Sequence, residues 1–227
     1  MREERTILVI AGGDPVTPDE LGPVPSDAFV IAADSGIDRA LELSLHVDLA
    51  VGDFDSVTPH ALDEVARAGA VIEAHPEAKD RTDLELALDA ALDRQPARVI
   101  VVGGHGGRLD HFLANALLLA SPGYAPLDIV AHMGPARVTV VRDVAALHGE
   151  PGDLVTLVPV NGPATGVTTE GLLYPLHGEA LQPGSTRGVS NELAEPVASV
   201  RLTSGVLLAV QAGECGTHWN RARSTAP

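Results

Sequence analysis

The chain has a single cysteine, Cys215, in 227 residues. An internal disulfide framework is excluded, and a reducing compartment fits. Aromatic side chains make up only 3% of the sequence, so Val, Leu and Ala must fill the core. There is one lysine, Lys79, against fourteen arginines. No apolar run reaches the roughly 18 residues of a membrane helix. The start, Met1-Arg2-Glu3-Glu4-Arg5, enters a strand-like run directly and lacks a signal-peptide pattern. The expectation is a soluble, cytoplasmic protein with no membrane partner. A basic cluster is also missing, and the formal net charge is −16. That balance argues against nonspecific nucleic-acid binding. It serves solubility, and it repels a free polyanion, so any use of a nucleotide triphosphate would depend on a metal.

What is present is apolar material, 45% of the chain, ample for one large domain or two small ones. Ile7-Leu8-Val9-Ile10-Ala11 ends at Gly12-Gly13, and Phe29-Val30-Ile31-Ala32-Ala33 ends at Asp34. Leu49-Ala50-Val51 ends at Gly52-Asp53, and Val99-Ile100-Val101-Val102 ends at Gly103-Gly104. Apolar runs without alternation predict strands buried on both faces, as in a parallel sheet. Thr82-Asp83-Leu84-Glu85 has the capping-box pattern. Leu84, Ala87, Leu88, Ala91 and Leu92 then form an apolar stripe at helical spacing, as do Leu113, Ala116, Leu117 and Ala120 after Asp110. The pattern predicts a doubly wound α/β domain that binds ligands at the carboxyl ends of its strands.

After about residue 134 the character changes. Val138–Val141, Leu154–Val158 and Val206–Val210 read as strands. Asn161-Gly162-Pro163, Glu170-Gly171, His177-Gly178 and Gln182-Pro183-Gly184 between them read as turns. Short, regularly spaced strands predict a small antiparallel sandwich. The expected division is an α/β domain over 1–136, a β domain over 137–212 and a tail over 213–227.

The chemistry lies at the strand ends. In Gly52-Asp53-Phe54-Asp55-Ser56 the two carboxylates stand at i and i+2, so on an extended segment both face one side. Two close negative charges repel unless a cation neutralises them. A solvated turn is the alternative. In Lys79-Asp80-Arg81-Thr82-Asp83, Thr82 caps a helix whose N-terminus suits a phosphate, and Lys79 and Asp80 precede the cap. Gly103-Gly104-His105-Gly106-Gly107-Arg108-Leu109-Asp110-His111 lets backbone approach a ligand and offers the Arg108 fork to phosphate oxygens. Asp110 could hold a metal or cap the next helix, and His111 could be a base or structural. Asp34, in Ala33-Asp34-Ser35-Gly36, is an N-cap or a ligand contact. Neither a Walker pattern nor a G-x-G-x-x-G in its required context occurs. From composition, Gly188-Val189-Ser190-Asn191-Glu192 is only a polar turn.

Together these four stretches resemble thiamine pyrophosphokinase, and Gly171–Leu176 and Gly188–Glu192 match in order and spacing. The resemblance runs from about Ile7 to Val210. Related pterin diphosphokinases look similar in the first half, and the second-half pair discriminates. The resemblance implies a Rossmann-like catalytic domain, a β-sandwich domain and a homodimer with active sites between subunits. It implies Mg²⁺ and ATP, with the β,γ-diphosphate passing to the thiamine hydroxyl and AMP leaving. By the same resemblance Asp53, Asp55, Asp83 and Asp110 form the acidic metal and phosphate cluster. Asp34, Thr82 and Arg108, with Lys79 and Asp80, are further nucleotide contacts. Ser190 and Asn191 contact thiamine, with Tyr174 or Trp219 as the stacking ring. Asp83 or Asp110 is the candidate proton acceptor. The competing readings are a diphosphokinase acting on a hydroxymethylpterin, a non-catalytic nucleotide or thiamine sensor, and a structural oligomerisation module.

Overall fold

The computed structural model describes residues 6–15, 17–21, 24–76 and 80–213. These form two compact units. The first runs up to Leu119 and includes Gly123–Gly134; the second takes Ala120–Pro122 and continues from Pro135.

The first unit holds six parallel strands: β1 (Thr6–Ile10), β2 (Phe29–Ala33), β3 (Leu49–Gly52), β4 (Val71–Ala74), β5 (Arg98–Val102) and β6 (Ile129–Met133). Their spatial order is β4-β3-β2-β1-β5-β6. The chain moves outward from β1 to β4, then returns to lay β5 along the other side of β1. That reversal opens a crevice at the carboxyl ends of β1 and β5. The four predicted runs form β1, β2, β3 and β5. The edge strand β4 escaped prediction because Glu73 interrupts its apolar residues, and all four of its residues are exposed.

Helices α2 (Gly36–Glu42) and α3 (Pro59–Arg67) follow the short α1 (Pro18–Leu21). Their Ile37, Ala40, Ala61 and Val65 join Leu8, Ile10, Val30, Ala32 and Ala50 in one apolar cluster. Full burial of each large aliphatic chain is worth roughly 1.5–3 kcal/mol. Helix α4 (Asp83–Asp93) packs on β1, β2 and β3 through Leu84, Ala87, Leu88 and Ala91. It starts where the capping pattern requires: Thr82 Oγ1 accepts the Glu85 N–H at 3.2 Å, a bond worth about 1 kcal/mol.

Helix α5 (Leu109–Leu119) corrects an expectation. The stripe of Leu113, Ala116 and Leu117 does not face the core; Leu119 is the buried residue of this helix. Leu109, Leu113 and Leu117 are 67%, 51% and 50% exposed.

In the second unit, β7 (Ala136–Val141), β8 (Val144–His148), β9 (Leu154–Glu170), β10 (His177–Leu181), β11 (Asn191–Glu192), β12 (Val197–Arg201) and β13 (Ser204–Gln211) pair antiparallel. The first half of β9 pairs with β13, and its last residues pair with β12 and β10. Asn161-Gly162-Pro163, expected as a turn between strands, lies inside β9. Positive φ at Asn161 (60°) and Gly162 (132°) bends the strand there without ending it. Val155, Leu157, Val167, Leu181, Val200 and Leu207 meet in one core cluster.

Candidate active site

In the first unit the crevice is a cavity of about 610 Å³. Its floor is backbone. Gly104 N–H donates to Gly12 O, and Asp14 N–H donates to His105 O, each at 2.7 Å. A Cβ at Gly13, where φ is +123°, would lie 2.0 Å from His105 O. A Cβ at Gly36 would lie 2.1 Å from Ile10 O. Glycine is thus required where the loops after β1 and β5 abut and where α2 meets β1.

Asp34, Asp53, Asp55, Thr82, Asp83, Arg108 and His111 line this cavity. Asp34 sits directly after β2 with φ +47° and is 8% exposed. It is not the helix cap, for the N-cap position falls on Ser35, which makes no side-chain capping bond. Asp34 Oδ1 is buried without a hydrogen-bond partner. Burial pushes its carboxyl above the ordinary 3.8, the Ser35 N–H opposes that, and the charges of Asp83, Asp53 and Asp55 add to it. Asp34, Asp53 and Asp55 each offer an oxygen, all within 4.8 Å of one another. A buried oxygen lacking a donor, beside two further carboxylates, suits a hard divalent cation. These three residues fit such an ion.

Asp83 lines the cavity and acts on Asp34 through its charge. Asp110 stands apart from the group of three. Arg108 grips it, Nε to Oδ1 at 3.2 Å and Nη2 to Oδ2 at 2.5 Å. That hydrogen bond holds the exposed Asp110 carboxyl down to about 2. Asp80 is exposed and is not among the cavity-lining residues. Lys79 and Trp219 lie outside the described residues. Sequence reasoning missed Asn115, which lines the cavity and donates from Nδ2 to Gly104 O at 3.0 Å. Its signal was a polar residue within the apolar run that follows His111.

The second unit has its own cavity, about 490 Å³, lined by Tyr174, Leu176 and the stretch Ser185–Asn191. Asn191 is 5% exposed, and both its amide oxygen and its amide nitrogen are engaged. Oδ1 accepts Tyr174 N–H at 3.0 Å and Glu192 N–H at 2.9 Å. Nδ2 donates to Tyr174 O at 2.7 Å. Asn191 therefore fixes the backbone of Tyr174, whose ring is 57% exposed. Ser190 is exposed with φ +57°, and its N–H donates to Thr156 Oγ1 at 3.1 Å. Arg187 is tied to Glu179 by two bonds of 3.0 and 2.9 Å.

A parallel sheet carrying carboxylates and glycine loops at its switch point, followed by a β-rich unit, marks a transferase of the kinase class. Two family models match: the thiamin pyrophosphokinase catalytic domain over residues 24–130 and the thiamin pyrophosphokinase vitamin B1 binding domain over 143–207. The chain belongs to the thiamine pyrophosphokinase family. It is 29% identical over 216 residues to the thiamine pyrophosphokinase of Bacillus subtilis, covering 91% of this chain and 98% of that one. A solved structure of thiamine pyrophosphokinase from Bacillus subtilis superposes with a TM-score of 0.80, covering 92% and 99% of the two chains at 29% identity. A thiamin pyrophosphokinase structure from Candida albicans, at 15% identity, shares the fold with a TM-score of 0.75 over 92% of this chain and 89% of that one.

Proposed function

We propose that the protein transfers the β,γ-diphosphate of ATP to the hydroxyl of thiamine, giving thiamine diphosphate and AMP. The observation that carries this is the partnerless, buried Asp34 Oδ1 beside Asp53 and Asp55, in a crevice floored by glycine backbone. Residues 1–136 form the Rossmann-like catalytic domain in this reading, and 137–212 a thiamine-binding sandwich. The reaction belongs to the cytoplasm.

Asp34, Asp53 and Asp55 would hold Mg²⁺. When bound, that ion neutralises charge on phosphate oxygens. The chain's own residues do the rest. Gly12, Gly13, Gly104, Gly106 and Gly107 line the cavity, and the open space beside Gly107, where an added Cβ would meet nothing within 4 Å, lets a phosphate approach closely. The N-terminus of α4 presents its positive end and the Thr82 cap to them. Arg108 keeps guanidinium donors beyond those given to Asp110 and directs them at the transferred group. The thiamine oxygen attacks the β-phosphorus in line; the bond from that phosphorus to the α,β-bridging oxygen breaks, and AMP keeps that oxygen. Asp83 accepts the hydroxyl proton. It lines the cavity, whereas Asp110, with its carboxyl near 2 under Arg108, is a poor acceptor. Much of the rate comes from holding the hydroxyl in line with the scissile bond.

In the second unit, Tyr174 offers the stacking ring, and Asn191 and Ser190 shape its surroundings. The working form is a homodimer, supported by the exposed apolar stripe Leu109, Leu113 and Leu117.

Incubation with Mg²⁺-ATP and either thiamine or a hydroxymethylpterin tests the acceptor. AMP forms with thiamine alone. AMP with the pterin alone would move the chain to pterin chemistry, and ligand binding without AMP would make it a sensor.

A further inference from the structure

Two bonds within the loop that carries Asp53 and Asp55 shape it locally. Asp55 N–H reaches Asp53 Oδ1 at 3.3 Å, and Ser56 Oγ donates to Asp55 Oδ1 at 2.8 Å. Phe54 sits at φ +61°, a region that L-residues other than Asn and Asp seldom occupy. The loop is also tied from outside.

Both ends are held by one short segment, Asp34–Asp38. At the entry, Asp34 N–H donates to Val51 O at 2.9 Å. A Cβ on Gly52 would lie 3.2 Å from Asp34 Cα. At the exit, Asp38 in the first turn of α2 takes Thr58 with both oxygens. Thr58 Oγ1 donates to Oδ1 at 2.7 Å, and Thr58 N–H donates to Oδ2 at 3.3 Å. The Thr58 hydroxyl has one hydrogen, which Asp38 takes. Its lone pair is thereby turned toward Ala61 N–H, which donates to it at 3.4 Å and starts α3. Asp38 in turn rides on a fixed helix, since Ile37 and Ala40 beside it are fully buried.

We propose that Asp38 is a positioning residue for the cation site. Through Thr58 it closes the loop so that Asp53 and Asp55 stand at the right separation from Asp34. The inference rests on the metal reading given above. Asp38 does not touch the ion. It stores the loop geometry in the metal-free chain, so that binding requires little rearrangement. A group hydrogen-bonded directly to a metal ligand is worth about 10–100-fold in metal affinity; Asp38 acts one residue contact further out, so its effect belongs at the lower end of that range.

The test is Mn²⁺ binding to the full-length protein, read from loss of the free-ion electron paramagnetic resonance signal, with thermal melting as the control for folding. Asp38→Ala is expected to weaken Mn²⁺ binding about 10-fold. Asp38→Asn keeps one acceptor for the Thr58 hydroxyl and should fall between parent and alanine variant. Thr58→Ser keeps both donors and should bind as the parent does. The double variant Asp38→Ala/Thr58→Val should weaken binding by less than the two single variants multiplied together, because both break the same bond from the Thr58 hydroxyl to Asp38. If Asp38→Ala does not fold, the comparison of Asp38→Asn with Thr58→Ser carries the test alone. Parent-like Mn²⁺ binding by a folded Asp38→Ala or Asp38→Asn would overturn the positioning role and leave the metal reading intact. Failure of the parent itself to bind Mn²⁺ would overturn both.

Discussion

Asp34 is a carboxylate placed where it is costly. Burial raises its pKa from 3.8, with neighbouring carboxylates adding to the effect. Without a cation, the folded chain therefore holds that proton more tightly than the unfolded chain. The stability is fully present below 3.8 and is lost as pH rises through the raised folded value. Asp34→Asn should thus raise the melting temperature of the EDTA-treated protein at pH 7. It should also abolish the gain that Mg²⁺ gives the parent. Calorimetry in EDTA and in Mg²⁺ decides; a metal-free variant less stable than its parent would contradict this account. Asn191→Ala strips the Tyr174 backbone of two partners, at a cost of about 1–3 kcal/mol. It should raise the KM for thiamine more than that for ATP, and steady-state kinetics with each substrate varied will show it. Asp53 and Asp55 do come together beside Asp34, though not along the extended segment that i and i+2 spacing assumes, because Phe54 between them has φ +61°. That Asn191 spends its amide on Tyr174, or that Asp110 spends its charge on Arg108, depends on side-chain directions that spacing does not encode.

Helix α4 was legible from start to stripe because its cap, its apolar spacing and its packing agree. Helix α5 was legible as a helix but not in its orientation. An apolar stripe shows that a face is to be covered, without showing what covers it. Leu113→Asp is expected to leave the fold intact, since Leu113 is half exposed, and to shift the proposed dimer toward monomer by sedimentation velocity. A dimer unchanged by the substitution would remove α5 from the interface. Strand β9 misled for another reason. Asn161-Gly162-Pro163 has turn chemistry, but antiparallel partners on both sides of it carry the strand through the bend.

Taken whole, the chain carries a formal charge of −16, against a substrate that is itself a polyanion. Long-range repulsion of that kind slows capture of free ATP and is screened by salt. In the proposed reaction the carboxylates therefore make the chemistry conditional on a divalent cation. What the first unit supplies is a place for phosphates; what the second supplies is a separate cavity with an exposed ring. The alternation of the first half and the short strands of the second were enough to read a sheet with helices followed by a β-rich unit. The most direct test of diphosphate transfer uses ATP labelled with ³²P at the β-position, supplied with Mg²⁺ and thiamine. The account predicts that the label leaves the nucleotide completely, appearing in thiamine diphosphate with one unlabelled AMP per turnover. Label retained in ADP, with thiamine monophosphate as the product, would contradict it.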